Sequence, residues 1–406
     1  MKDSYDKYVP VCHGMALKFC FFVLWLSYIY LAKCKPQMPV AERKNILVFG
    51  GNGFIGSPVV ERLLAAGHNC TLINRGNWYW DSWTKIRPYV RHIKFDRMQK
   101  IAKCSPLIEL LQNNETFDAV IDFSAYHEFA VEEALSVLKD HAQLYIFISS
   151  DSVYEVSLKN HSNPSVESDS VRPTDEKKRQ RLANIDDYGH RKLEIEELLK
   201  HQRKDGGIPF IALRLPDVVG PRDNTYRWWL YQSWMRLQEY LDKKVSIPSY
   251  LSNHLLSFVY NHDVAKLIEK LVSSDVDPDI IDQAYNLAFR ESFTLRQFLL
   301  DIKTTLNITD LDIKEDDDPD AFRLFPSVTL GPINISKARE KLNWDPTPWK
   351  TALVDTVKFY ESAITRPEFD VPRRDIIRSL QIYFSDRPFK VLIAQFSSRS
   401  LRCKID

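Results

Sequence analysis

The sequence predicts an α/β fold: a doubly wound parallel sheet with a smaller, discontinuous domain towards the C-terminus. Three observations carry this. A short apolar run, Asn45-Ile46-Leu47-Val48-Phe49, ends in glycines at positions 50, 53 and 56. Further apolar runs then alternate with segments of helical periodicity, as parallel strands joined by crossover helices do. The fifth such run closes on Ser149-Ser150, which brings hydroxyls to the strand ends where ligands of these sheets bind.

In the glycine segment, Gly50 allows a tight turn, Gly53 lets the backbone approach a pyrophosphate, and Gly56 lets the following helix pack closely. Phe54 and Ile55 lead into that helix, whose free N–H groups and positive dipole end face a phosphate. Val59, Val60, Leu63 and Leu64 fall at helical spacing, Pro58 is tolerated in the first turn, and Gly67 is a C-terminal stop. With a second strand at residues 70–73, the unit is complete within about 30 residues, as a dinucleotide site requires. Ile73-Asn74-Arg75-Gly76 stands where an acidic residue commonly meets the ribose 2′-hydroxyl. An arginine there pairs with a 2′-phosphate and favours NADP over NAD; the other reading has Arg75 stacking on the adenine or facing solvent.

The third strand, residues 92–97, carries Asp96 to a position suited to an adenine amino group. A helix around residues 107–111 precedes the fourth strand, 117–124, which brings Ser124 beside the cofactor. A helix over 132–139 leads to the fifth strand, 144–150. Trp78, Trp80 and Trp83 either line an adenine or partner surface or pack a surface loop.

Tyr188 and Lys192 are four apart on a helix and share one face. An ammonium near the ring oxygen lowers the phenol pKa, which suits Tyr188 to exchange a proton with a substrate hydroxyl or carbonyl, and Ser150 would hold the same oxygen. An exposed helix face is the commoner meaning of this spacing alone; the preceding strand end and dinucleotide unit favour the catalytic one.

The segment from Gly50 to Gly56, Ser149-Ser150-Asp151-Ser152-Val153-Tyr154, Tyr188-Gly189-His190-Arg191-Lys192 and the run from Arg214 through Asp217 to Arg222 together resemble the extended short-chain dehydrogenase/reductases, the NAD-dependent epimerase/dehydratase group. The likeness spans residues 45–360 and includes Phe258-Val259-Tyr260-Asn261-His262-Asp263. It implies a Rossmann-type sheet, NAD or NADP at the glycine loop, and Ser150, Tyr188 and Lys192 as the catalytic trio. Lys192 would also hold the cofactor ribose, and Asp217 and Arg222 would face the substrate. The implied activity is an oxidoreductase or epimerase reaction on a hydroxyl or carbonyl of a sugar-like or nucleotide-linked small molecule, in a chain that pairs as a homodimer.

Three features depart from that pattern. The family's sugar-nucleotide epimerases usually carry Asn, against the substrate diphosphate, where this chain has Asp217, and a carboxylate there would repel a diphosphate. Residues 158–185 form a long polar insertion, read as a mobile surface loop. Asn74-Arg75-Gly76 is closer to a divergent branch that includes the chloroplast stem-loop RNA-binding proteins. The competing reading is therefore a non-catalytic NAD(P)-binding or RNA-binding protein on the same fold. Its basic clusters would be Lys177, Lys178, Arg179 and Arg181, and Arg373, Arg374 and Arg378. The 406 residues carry a net charge of only +1, so nucleic acid is disfavoured as a partner.

The expected organisation is a segment at 1–40 outside the fold, a dinucleotide-binding domain at 41–221 to which 254–290 returns, a substrate domain from 222–253 and 291–360, and a tail at 361–406. In the substrate domain, Tyr226, Trp228, Trp229, Tyr231 and Trp234 read as interdomain packing more than sugar stacking, and 315–320 as a solvated acidic loop. Residues 19–32 are apolar and uncharged between Lys18 and Lys33. Two readings fit them: a secretory signal or signal anchor, with membrane association, or a cytoplasmic chain in which either translation starts at Met38 or this end is an untargeted extension. The six cysteines form no CxxC pair, so neither a metal site nor a disulfide framework is read.

Overall fold

The computed structural model describes residues 42–241, 244–275, 277–317 and 324–381. Seven parallel strands form the central sheet: β1 (Asn45–Phe49), β2 (Asn69–Asn74), β3 (Arg91–Lys94), β4 (Ala119–Asp122), β5 (Tyr145–Ser150), β6 (Phe210–Leu215) and β7 (Gln283–Asn286). Their order is β7-β6-β5-β4-β1-β2-β3. Phe49 lies opposite Ile73 of β2 and Asp122 of β4, so three strand ends emerge level. The order reverses between β1 and β4, and the connections leaving these two ends diverge to opposite faces, which opens a crevice above them.

Both faces of the sheet are covered, so the strands read as near-continuous apolar runs. Successive residues of β1 point to opposite sides. Ile46 and Val48 pack with Val59, Val60 and Leu63 of α1 (Gly56–Ala65) and, beyond them, Val264 and Ile268 of the helix Asn261–Ser273. Leu47 and Phe49 pack with Leu107 and Leu111 of α2 (Ser105–Gln112), Val131 and Leu135 of α3 (Glu128–Leu138) and Ile195 and Leu199 of α4 (Asp187–Lys204). The strands begin and end within a few residues of their expected places. The third is the main difference: it stops at Lys94, and Asp96 and Arg97 lie on the turn beyond it.

A separate aromatic core forms around the helix Arg227–Arg236. Trp228, Trp229, Tyr231 and Trp234 are all buried there, as the packing reading expected. Trp80 joins them, with its ring centroid 5.5 Å from Trp229 and 5.1 Å from Phe369. The expected tail is in part structural: Ile376 and Leu380 of the helix Asp370–Leu380 are buried in this core. Glu315 and Asp316, the start of the expected solvated loop, belong to a short strand, Lys314–Asp316, that pairs in parallel with Ser246–Pro248. Residues 19–32, the expected signal or anchor, lie outside the described residues. No helix among those described is long and apolar enough to cross a membrane.

The insertion at 158–185 is built into the fold, contrary to expectation. Its helix Glu176–Ile185 is capped by Asp175, which accepts from the Lys178 N–H at 2.7 Å. Glu167 accepts from the Asn286 N–H at 2.8 Å, and Asn286 Nδ2 donates to the Ser165 carbonyl at 3.0 Å. The physical reason is Arg214, 1% exposed, which needs acceptors on every side. It forms a two-pronged pair with Glu196 of α4 (2.9 and 2.6 Å) and donates to Tyr154 Oη, the Glu167 carbonyl and Ser170 Oγ. Glu196 also accepts from Ser149 Oγ at 2.7 Å, and the nearby guanidinium keeps its carboxyl below the usual range despite burial.

This buried pair joins β5, β6, α4 and the insertion, and removing one partner strands the other charge. Arg214→Met is expected to lower the unfolding free energy by about 3–5 kcal/mol. Urea denaturation should show the double variant Arg214→Met/Glu196→Leu to be markedly more stable than Arg214→Met alone. Equal losses in the two would contradict the account.

Candidate active site

The glycine loop forms the floor of a cleft of 690 Å³ above the ends of β1 and β4. Gly50 has φ +92° and makes the expected turn. At Gly56 a Cβ would meet the Gly51 backbone at 2.6 Å, so the close approach is to the loop itself. Gly51 was not singled out in the sequence, yet its φ is +78° and a Cβ there would meet Val48 at 2.9 Å and Leu72 at 3.2 Å. Gly53 faces open space except for Asn224 Oδ1 at 4.0 Å. Phe54 and Ile55 line the cleft, and the Phe54 N–H donates to Asn224 Oδ1 at 3.3 Å. An open glycine beneath a helix start, with no Cβ in the way, fits the diphosphate of a dinucleotide.

Arg75, Asp96 and Ser124 all line the same cleft. Arg75 is exposed at the rim. The amide of Asn74 is committed to the loop: its Oδ1 accepts from the Gly76 N–H at 2.8 Å and its Nδ2 donates to the Gly50 carbonyl at 3.4 Å. Sequence reasoning missed Arg97, whose guanidinium lies 4.1 Å over the Phe49 ring and bonds both oxygens of buried Asp122. Asp122 also accepts from Tyr145 Oη. The cleft wall therefore has a neutralised ionic group behind Ser124.

Ser150 ends β5 and Tyr188 lies in the first turn of α4, which Asp186 caps by accepting from the Gly189 N–H at 2.8 Å. Gly189 is needed there, because a Cβ would lie 2.2 Å from the Ser152 carbonyl. Ser150 and Tyr188 both line the cleft. Tyr188 is 44% exposed and lies beside Ser150. Burial raises the phenol pKa, Tyr126 and Asp151 raise it further, and the Ser150 hydrogen bond opposes them.

Lys192 is 3% exposed and lies beneath this wall. Its Nζ donates to the carbonyls of Ala125 (2.9 Å) and Ile148 (2.8 Å). It is 5.5 Å from the Tyr188 ring centroid, 5.3 Å from that of Tyr126 and 4.9 Å from that of Phe147. Burial pulls its pKa down to about 8, partly opposed by Asp122. Lys192 is not among the residues that line the cleft, so the ribose contact expected of it is not seen here.

Asp217 lines the cleft, and both its oxygens are engaged by Arg227 and Ser327. Arg222 is the correction. It does not line this cleft but pairs with Glu61 at 2.9 Å and Asp81 at 2.7 Å, holding α1. Two carboxylates offset the cost of its burial. The sequence also left Asp151 unassigned. It is buried beside Ser150, whose Oγ donates to it at 3.2 Å, and burial followed by the charge of Asp217 pushes its carboxyl well above the usual range.

The model of the NAD dependent epimerase/dehydratase family matches residues 46–288, which include the glycine loop, Ser150, Tyr188, Lys192 and Asp217. The chain belongs to this family. Curated relatives are distant. The chain is 28% identical over 213 residues to a chloroplast stem-loop binding protein of 41 kDa from Arabidopsis thaliana, covering 50% of each chain, so the match spans about half of that relative. It is 25% identical over 346 residues to the uncharacterized UDP-glucose epimerase YtcB of Bacillus subtilis, covering 78% of this chain and 98% of the other.

Solved structures share the family fold. A UDP-N-acetylglucosamine 4-epimerase from Methanobrevibacter ruminantium superposes with a TM-score of 0.61 at 22% identity, covering 79% of this chain and 99% of that one. A dTDP-glucose 4,6-dehydratase from Bacillus anthracis, in complex with NAD, gives 0.59 at 19% identity, covering 79% and 97%.

The position of Lys192 gives a pH signature. Its pKa is 10.5 when unfolded and about 8 when folded, so above about pH 8 the unfolded chain holds more protons and stability rises with pH. The unfolding free energy of the wild type relative to Lys192→Met should increase as pH goes from about 8 to about 10, and denaturant titrations at several pH values measure it. A difference that stays flat or falls over this window would show that the ammonium is not desolvated.

Proposed function

We propose that this family member is an NAD(P)-dependent oxidoreductase or epimerase acting on a hydroxyl or carbonyl of a nucleotide-linked sugar through Ser150, Tyr188 and Lys192. The observation that supports this most directly is convergence. β5 brings Ser150 and α4 brings Tyr188 to the cleft whose floor is the glycine loop, with the Lys192 ammonium behind the tyrosine ring. The NAD complex of the dehydratase above is consistent with the cofactor class.

When bound, the nicotinamide supplies the hydride acceptor. Tyr188 Oη takes the proton of a substrate hydroxyl as its carbon gives up the hydride, leaving a carbonyl; the reverse returns both. Ser150 Oγ donates a hydrogen bond to the reacting oxygen and orients it. Lys192 provides positive charge on the far side of the ring, stabilising the phenolate against the desolvation that otherwise keeps Tyr188 protonated. The cation is held in place because two of its N–H groups are bound to carbonyls, one within β5 and one on the segment after β4.

Tyr188→Phe deletes the proton and keeps the ring. Turnover in a screen of UDP- and dTDP-sugars should fall by about 10² to 10⁴-fold while dinucleotide affinity is retained. Turnover at the wild-type rate would remove the assignment of Tyr188. The cofactor preference is proposed to be for NADP, because Arg75 stands at the rim and β2 ends in an amide. Arg75→Asp should weaken NADP binding by about 1.5 to 3 kcal/mol and reverse the preference in calorimetric titrations. Unchanged relative affinities would point to an Arg75 that faces solvent.

A further inference from the structure

The segment that leaves β2 runs along the cleft before it reaches the aromatic core, and Arg75, Asn77 and Tyr79 line the cleft on the way. Two fixed posts hold its ends. At the first, Asn74 binds the Gly50 carbonyl and the Gly76 N–H, and Gly76 has φ +90°. At the second, buried Asp81 pairs with Arg222 at 2.7 Å and Lys85 at 2.9 Å, and the Tyr79 carbonyl accepts from Ser82 Oγ at 2.6 Å.

Between the posts the attachments are few. The Asn77 carbonyl accepts from Asn52 Nδ2 of the glycine loop. The Trp80 side chain is held by rings: besides Trp229 and Phe369 it has Phe359 at 5.4 Å, Tyr360 at 5.9 Å and Tyr226 at 6.1 Å. Its backbone lies in the left-handed region, φ +53°, which a bulky residue rarely adopts, and its buried Nε1 has no acceptor among the described residues. Both costs are relieved when the ring leaves the core, so packing alone holds a conformation that the backbone and the indole N–H oppose. Next to it, Tyr79 faces the cleft. Burial is the main cause raising the phenols of Tyr126 and Tyr226, and Tyr79 contributes to both, which places it close to the segment after β4 as well as to the aromatic core.

We propose that residues 77–80 form a strap over the bound dinucleotide, latched by Trp80, and that the latch must open for the dinucleotide to enter or leave the cleft. This rests on the cofactor reading proposed above. The element with two positions is the Trp80 ring, in or out of the aromatic core, and Gly76 is the hinge that absorbs the backbone change. Release costs the ring stack and one hydrogen bond to Asn77, while both posts stay fixed.

The test is stopped-flow nicotinamide fluorescence on the full chain. Mixing with NADPH or NADH measures entry, and chasing the bound reduced form with excess oxidised form measures release. Trp80→Ala should speed both entry and release at least ~10-fold, with affinity changing far less than either rate. Trp83→Ala, which alters a side chain 60% exposed in the same connection, should leave both rates unchanged. Unchanged release from Trp80→Ala overturns the latch. Faster release with unchanged entry does so too, because the segment would then be a contact that gates nothing, and equal acceleration by Trp83→Ala would reduce the effect to general loosening. Hydrogen exchange of the wild type decides the matter if Trp80→Ala does not fold. The amides of residues 77–80 should exchange faster than those of β1 and β2, and should slow at least ~10-fold when dinucleotide is bound. Exchange as slow as that of the sheet, or indifferent to the dinucleotide, overturns the proposal. Wild-type protein that binds neither dinucleotide overturns the cofactor reading and the strap together, whereas binding with rates that Trp80→Ala leaves unaltered overturns the strap alone.

Discussion

The arrangement of the cleft depends on where one buried ammonium can be satisfied. Among the described residues Lys192 has no carboxylate as a direct hydrogen-bond partner, and it is held by two carbonyls, one on the segment after β4 and one within β5. The Ile148 oxygen is fixed by the sheet and the Ala125 oxygen lies just beyond β4, and α4 docks in the register that brings Nζ between them. Tyr188, one turn earlier, then falls at the mouth of the cleft beside Ser150. The same constraint leaves the cation weakly compensated, which explains its lowered pKa and gives it reason to favour a negative charge on the nearby phenol.

Four arginines follow the opposite rule. Arg97 is paired with Asp122, Arg214 with Glu196, Arg222 with Asp81 and Arg227 with Asp217. Each buried guanidinium has its own carboxylate, as burial of a fixed charge requires. The basic helix Glu176–Ile185, a candidate RNA surface, has Arg179 paired with Glu176 and donating to the Pro173 carbonyl, so part of its charge is used within the fold. The balance across the molecule is local, and the net charge of +1 reflects it.

Much of the sheet was legible because period-2 and period-3.6 patterns and glycine steric limits are properties of short stretches. Gly50, Ser150 and Tyr188 were expected for that reason, and all three line the cleft. Gly51 was missed because its need for a positive φ and a bare Cα comes from Val48 and Leu72, of which the second lies on the next strand. Arg222 and Arg227 stand five apart, and only the turn between them decides which one meets the cleft. The insertion looked mobile because its polarity suggested solvent, whereas its partner is a buried arginine on β6, 44 residues from Ser170. Polar segments that satisfy a distant buried charge carry no local signature. Their partners are known only when the chain is folded.

The central claim is that this cleft carries out reversible hydride transfer between a bound dinucleotide and a nucleotide-linked sugar. The most direct measurement is a single-turnover reaction in which protein loaded with oxidised NAD or NADP is mixed rapidly with UDP-glucose, UDP-N-acetylglucosamine or dTDP-glucose, and the near-ultraviolet absorbance of reduced nicotinamide is followed. The account predicts that with at least one of these sugars the reduced form appears within the turnover. Tightly bound dinucleotide that stays oxidised with all three, under conditions where the sugar nucleotides are shown to bind, would contradict it.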